Sequence, residues 1–304
     1  MPFLKKENLS TQNHKLLSKL CIYMEYKTIK FELLENGIGI LTLNRPEKLN
    51  AISFQMEEEL HQIFDNLMTN LECRVLIFRG EGRAFSAGTD LQEGLILNSK
   101  KIPEGYDKFY FLNVSEPIKR KMYHQWRITQ IIIKMRKISQ PIIAVVHGAV
   151  AGGGLGFAMA SDIRIASEDV NFINASINIG LTGADMGSSY FLPRLINLSK
   201  ATEIIYSGRG VSGLEAEKIG FVSKLVKKVD LLNEAVELAE QLLTKSPLGL
   251  RMTKEALNLS LDSPSLNNIL QYENSSIVLT FSSKDVNEAA NAFFGKRDPN
   301  YPLR

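Results

Sequence analysis

The chain reads as an α/β protein in which strands and helices alternate up to residue 200 and helices dominate thereafter. Three observations predict this. Short apolar runs at 38–43, at 75–78 and opening at Val145 are separated by segments whose apolar residues recur every three or four positions. Two of these runs lead into bends of small residues, 84–91 and 148–156, as expected where a strand turns into a helix. From Ser199 onward helical spacing continues almost unbroken, with 222–226 as the strand-like exception.

The first residues, 1–25, form an N-terminal arm, poorly ordered or docked on a neighbour as a short helix. The body starts at Tyr26. Residues 26–34 place Ile29, Phe31 and Leu33 on one side, and 38–43 follow across Glu35-Asn36-Gly37, which predicts a β-hairpin. Ser53 then caps a helix carrying Met56, Leu60, Ile63, Phe64 and Leu67, with Glu57, Glu58 and Glu59 near its positive end. Residues 75–78 are a buried strand closed by the turn signal Arg79-Gly80-Glu81-Gly82. Residues 100–122, with Pro103, Gly105 and Pro117, read as a mobile insertion or lid. Helical spacing resumes at Trp126, puts Ile128, Ile131, Ile132 and Met135 in the core, and stops at Pro141. Short strands follow at 162–166 and 170–173, then helices at 198–206, 213–219, 231–243, 247–259, 265–281 and 284–294. The expected division is an arm at 1–25, a core at 26–200 and a helical C-terminal region at 201–304.

Composition excludes several classes of function. An apolar share of 44% and a charged share of 23% suit a soluble globular protein, and 304 residues suffice for one large domain with an appendage or for two modest ones. A net charge of +3 is too small to argue for a nucleic-acid partner. Residues 1–22 carry Lys5, Lys6, Lys15 and Lys19 but no arginine and no apolar stretch of signal-peptide or membrane-span length, so neither a membrane nor an organelle address is expected. Cys21 and Cys73 support neither a disulfide framework nor a zinc site, which suits a reducing cytoplasm. No metal-ligand cluster, nucleotide-binding loop or nucleophilic triad is evident. His14, His61, His124 and His147 are scattered, and His147 at a strand end suits structural hydrogen bonding.

The informative stretch is 145–160, a strand running through Gly152-Gly153-Gly154 into a helix of small residues. Such a turn leaves backbone N–H groups free at the positive end of a helix, and glycine lets a ligand approach the main chain. Taken alone, the glycines favour close packing over a ligand site. The second bend, Ala84-Phe85-Ser86-Ala87-Gly88-Thr89-Asp90-Leu91, changes that balance, because two bends after two strands can aim one N–H each at a single oxygen that gains charge. Asp185, in the run 180–190, is read either as a helix N-cap or as an acid acting beside these bends. At the C-terminus, Phe293-Phe294-Gly295-Lys296-Arg297 suits a phosphate, an adenine ring or a subunit contact.

Together, Asn44-Arg45-Pro46-Glu47-Lys48-Leu49-Asn50-Ala51, the 84–91 bend, residues 148–160 and residues 208–226 resemble the crotonase (enoyl-CoA hydratase/isomerase) superfamily in order and spacing, over residues 26–300. The resemblance implies a spiral of ββα units with a C-terminal helical region that builds a homotrimer or a dimer of trimers. It implies a coenzyme A thioester as substrate, with no prosthetic group. Thr89 and Gly153 match the two backbone donors that hold a thioester enolate. Lys48, Ala87, Thr89, Asp90, Leu91 and Gly153 match the coenzyme A-binding segments. The two positions that hold glutamates in hydratases are Gly156 and Ser176 here, so the usual two-glutamate hydration is not expected. Asp185 matches an aspartate of dienoyl-CoA isomerases and chlorobenzoyl-CoA dehalogenases. The expected activity is therefore an acyl-CoA lyase or isomerase using Asp185 as acid/base; the alternatives are a hydrolase or dehalogenase-like enzyme with Asp185 as nucleophile, or a non-catalytic acyl-CoA-binding protein.

Overall fold

The computed structural model describes residues 20–96, 115–263 and 265–301. The chain opens with β1 (Leu20–Glu25), β2 (Ile29–Leu34) and β3 (Ile38–Leu43), followed by α1 (Phe54–Thr69), β4 (Val75–Gly80), α2 (Leu91–Ile96) and α3 (Glu116–Lys137). Then come β5 (Ile142–Val146), β6 (Ala149–Ala151), α4 (Gly153–Ala160), β7 (Ile163–Ser167) and β8 (Asn171–Ile173). A 3-10 turn at Ala175–Ile179 leads to α5 (Ser188–Leu195), α6 (Leu198–Ser207), β9 (Gly210–Ser212), α7 (Gly213–Lys218) and β10 (Lys224–Val226). Four helices finish the chain: α8 (Leu231–Leu243), α9 (Pro247–Asp262), α10 (Leu266–Phe281) and α11 (Lys284–Phe294).

Seven strands form one sheet in the order β1-β2-β3-β4-β5-β7-β10, antiparallel among the first three and parallel from β3 onward. A second sheet joins β6, β8 and β9. The chain alternates between the two layers: β5 lies in the first and β6 in the second before α4, and β7 and β8 repeat the step. The earlier turns follow the same course, because Ser86 bridges Val150 of β6 and Thr89 bridges Ile52. This repetition is the ββα spiral expected from the resemblance.

The parallel strands are buried on both faces, which explains why their sequences are apolar runs rather than alternating ones. Leu76, Phe78, Ile142, Ala144 and Val146 face the main core with Phe64 and Ile131, while Val75, Ile77, Ile143 and Val145 face the other way, onto Leu231, Ala235 and Ala239 of α8. The helix starts also follow their local signals. Ser53 Oγ accepts the Met56 N–H at 3.1 Å, and the predicted bounds of α8 and α11 match those observed.

Three expectations change, and a fourth gains detail. The sheet begins before Tyr26: Leu20–Glu25 pairs with β2 as an edge strand, so the end of the supposed arm belongs to the body, while residues 1–19 lie outside the described residues. Of the proposed lid at 100–122, residues 100–114 lie outside the described residues, and from Glu116 it is the start of α3, where Pro117 fits because the first turn needs no N–H donor. The acids of α1 start at its first turn with Glu57, as expected, and also have individual partners. Glu57, at 0% exposure, faces His124 Nδ1 at 3.1 Å and Arg127 Nε at 3.6 Å, and Glu59 accepts the N–H groups of Lys27 and Thr28. Finally, residue 200 is not a break: α6 runs across it, and β9 and β10 join the same two sheets.

Candidate functional site

Two loops form the base of the site. Asn50, fully buried with a φ of 54°, donates to the carbonyls of Glu81 and Ala84 at 2.9 and 2.8 Å and accepts the Arg45 N–H at 2.8 Å. It ties the turn containing Lys48 to the loop that follows β4. Ala87 N donates to Leu49 O at 2.9 Å, which sets the exposed Lys48 beside the second bend. Ser86, also fully buried, donates its hydroxyl to Asn50 O at 2.8 Å and accepts the Gly88 N–H at 3.2 Å.

The second bend is held against the triple glycine by backbone pairing. Ser86 N donates to Ala149 O, and Ala151 N donates to Ser86 O. Gly88 must be glycine: its φ is 94°, and a Cβ there would lie 2.9 Å from Ala151 O and 3.3 Å from Gly153 N. On its other side, Ile52 N donates to Gly88 O and Asp90 N donates to Ile52 O. Those bonds pass over Thr89. Among the described residues, neither the Thr89 N–H nor the Gly153 N–H, at the first position of α4, has a protein acceptor. The residues are neighbours, since a Cβ on Gly153 would lie 3.6 Å from Thr89 Oγ1 and 2.7 Å from Ile52 Cδ1. The structure thus brings together the two donors picked out from the sequence.

The remaining residues of this bend have distinct positions. Asp90 is 8% exposed, accepts the Gln92 N–H at 3.1 Å at the start of α2 and pairs with Arg45 Nη1 at 3.1 Å. Its carboxylate is engaged inside the protein. Leu91, by contrast, is 61% exposed, and Ala87 is half-buried.

Asp185 is not an N-cap. Gly187 takes that place for α5, and the Asp185 carboxylate turns to two neutral donors. Ser176 Oγ donates to Oδ2 at 2.8 Å, and Gln125 Nε2 of α3 donates to Oδ1 at 2.8 Å. No sequence signal marks Gln125 as functional, and Ser176 stands out in the sequence only as a position without an acid. Backbone bonds hold the loop as well, with Asp185 N donating to Ser188 Oγ at 3.1 Å and Ser188 N to Asp185 O at 2.9 Å.

The next residue, Met186, is buried at 3% exposure and joins this loop to α4. A Cβ on Gly156 would lie 2.6 Å from Met186 Cβ, and one on Gly153 would lie 3.7 Å from Met186 Cε. Just beyond, a cleft of about 410 Å³ runs between α3, α5 and α9, lined by Thr129, Ile132, Gly187, Phe191 and Leu261.

Other candidates lie elsewhere. His147 Nε2 bonds to Gly82 O at 2.9 Å, the structural role expected. The Cys73 thiol is buried and pushed up to about 12 by desolvation, so it stays protonated near neutral pH. At the C-terminus Phe293 and Phe294 are exposed, while Arg297 pairs with Glu288 at 2.6 Å. Among the described residues, no three His, Cys, Asp or Glu side chains form a metal-binding group, and no helix is long and apolar enough to cross a membrane.

Known proteins resemble this chain over most of its length. A probable enoyl-CoA hydratase of Mycobacterium tuberculosis is 36% identical over 250 residues, covering 81% of this chain and 83% of the relative. The crystal structure of an enoyl-CoA hydratase from Bacillus anthracis superposes with a TM-score of 0.81 at 28% identity, covering 91% of this chain and 100% of that one. A monofunctional enoyl-CoA isomerase from Mycobacterium smegmatis superposes with a TM-score of 0.62 at 34% identity, covering 77% and 94%. The enoyl-CoA hydratase/isomerase family model matches residues 34–303, and the chain belongs to that family, within the crotonase superfamily.

Proposed function

We propose that the protein is an acyl-CoA-processing enzyme that forms a thioester enolate, with the Thr89 and Gly153 N–H groups holding the enolate oxygen and Asp185 moving the proton. The observation that carries this reading is the pair of N–H groups without a protein acceptor, set side by side on two bends locked together. Each such donor contributes about 3 kcal/mol to a transition state in which the oxygen gains charge. Asp185 supplies the acid/base because it sits on the loop packed against α4 and its carboxylate is held by neutral donors only, without a salt bridge among the described residues.

The coenzyme A moiety lies along the second bend. Ala87 has given its N–H to Leu49, so its carbonyl is the group it offers to the adenine; the exposed Lys48 is placed for phosphate and the exposed Leu91 for apolar contact. Asp90 acts indirectly, fixing the bend through Arg45 and the start of α2. The acyl group enters the cleft between α3, α5 and α9, which opens two residues beyond Asp185. No prosthetic group is required by this chemistry. The working unit is a homotrimer or a dimer of trimers in the cytoplasm, supported by α10, which buries none of its residues and exposes Leu266, Ile277, Val278 and Phe281.

The test is turnover of enoyl-, dienoyl- and aryl-CoA thioesters, followed by absorbance and by product mass, for the wild-type chain and Asp185→Asn. Loss of turnover with retained thioester binding in the variant is the expected result. Turnover unaffected by the substitution removes Asp185 from the mechanism. Binding without turnover across the panel replaces the enzyme reading with a non-catalytic one, and a covalent acyl adduct on Asp185 replaces acid/base action with nucleophilic attack.

A further inference from the structure

Gly156 stands one turn along α4 from Gly153, and the space its side chain would occupy is filled from outside the helix. A Cβ there would lie 2.6 Å from Met186 Cβ, 2.9 Å from Met186 O and 3.3 Å from Ile132 Cδ1. The Met186 side chain then reaches back along the helix, so that its methyl group is 3.7 Å from a Cβ built on Gly153. One thioether therefore spans the turn of α4 that presents the Gly153 N–H. It has no donor and is a weak acceptor, so it cannot hold a water for attack.

The backbone at this position is unfavourable for methionine. Met186 has a φ of 48°, a left-handed conformation that costs a residue with a Cβ about 1 kcal/mol and that glycine adopts freely. Packing holds the side chain in this conformation at 3% exposure, beside the reacting groups.

We propose that Met186 excludes water from the reacting carbons and makes the site a single-base proton shuttle, which moves a carbon–carbon double bond along the acyl chain instead of adding water across it. This rests on the roles given above to Thr89, Gly153 and Asp185. With a 3-enoyl thioester, the Asp185 carboxylate takes a proton from Cα: the C–H bond breaks, an O–H bond forms, and the electron pair moves to the thioester oxygen under the two N–H groups. The Asp185 O–H bond then breaks, the proton bonds to Cγ, the carbonyl is restored and the double bond stands between Cα and Cβ. No co-reactant enters. Hydration needs a water held at Cβ, and the side of the site along α4 is occupied by the thioether and Ile132.

The experiment uses the full chain with 3-enoyl- and 2-enoyl-CoA in deuterium oxide, comparing wild type, Met186→Gly and Met186→Leu, with the melting temperature of each variant measured. Glycine suits the backbone and opens the space; leucine keeps it filled. The expected result is that the wild type isomerises with part of the migrating proton retained. Met186→Gly retains at least about twofold less and gains hydration of the 2-enoyl thioester, because solvent now reaches the intermediate. Met186→Leu behaves as the wild type. Wild-type hydration as fast as isomerisation, or equal proton retention in wild type and Met186→Gly, overturns the proposal while leaving the enolate reading in place. Isomerisation that survives Asp185→Asn, or no wild-type turnover, removes the underlying reading and the proposal with it.

Discussion

The Ser176 hydroxyl donates to Asp185 Oδ2 at 2.8 Å, so the residue at the second glutamate position of hydratases serves the acid of another loop. Gln125, from α3, holds the other oxygen at the same distance. An exposed aspartate samples several rotamers; one gripped from two elements is held in a single carboxylate plane.

Ser176→Ala and Gln125→Ala are each expected to lower kcat about tenfold with little change in KM, since a hydrogen bond to a charged group contributes about 1.5–3 kcal/mol and these bonds touch the base rather than the coenzyme. Steady-state kinetics on a substrate turned over by the wild type check this. A rise in KM at constant kcat would show that the two residues serve binding instead.

Gly153→Pro removes an N–H and is expected to abolish turnover. The added ring also meets Ile52 Cδ1, 2.7 Å from the Cβ position, so Ile52→Ala is combined with it to relieve the clash. The measurement compares Ile52→Ala alone with the double variant, after both have been shown to melt cooperatively. Activity retained in the double variant would remove Gly153 from the enolate site.

His61 sets a pH dependence of stability. Burial pulls its imidazole down from the ordinary 6.5 to about 4, with the positive charges of Arg127 and Lys134 acting in the same sense. Its Nε2 faces Arg127 O at 3.0 Å, and its buried Nδ1 has no hydrogen-bond partner among the described residues, so a second proton there is unfavourable. The folded pKa lies below the unfolded one, so the unfolded chain binds more protons between these values. This contribution to stability is full above pH 6.5 and is lost as the pH falls toward about 4. His61→Gln is expected to flatten the dependence of Tm on pH in that window, as followed by circular dichroism; an unchanged slope would contradict the assignment.

The α10 face bears on assembly. Ile277 and Phe281 are 68% and 75% exposed on a helix with no buried residue, an arrangement that suits contact with another copy of the chain. Ile277→Asp with Phe281→Asp is expected to convert a trimer or hexamer into a smaller species on sedimentation or light scattering. A wild-type chain that sediments as a monomer would refute the assembly itself.

Much of this was legible locally. The bounds of β3, α8 and α11 and the end of β2 at Leu34 follow from periods of two and of three to four residues, and Ser53 as a cap follows from its place before the first apolar turn. The three-residue β9 was missed because so short a run has no period of its own and is defined by pairing with β8. The burial of Glu57 was missed because the acid looked suited to a helix start, and only the packing of α3 on α1 brings His124 and Arg127 over it.

By itself, the sequence determined the alternation of elements, the two bends and the absence of acids at positions 156 and 176, because each is a property of neighbouring residues. The tertiary structure decided what holds Asp185. The bond to Gln125 crosses 60 positions, and the contact of Met186 with Gly156 depends on how the loop before α5 lies against α4. Those relationships are set by the packing of helices around the sheets, and no local pattern encodes the distance between two side chains that meet only when the core closes.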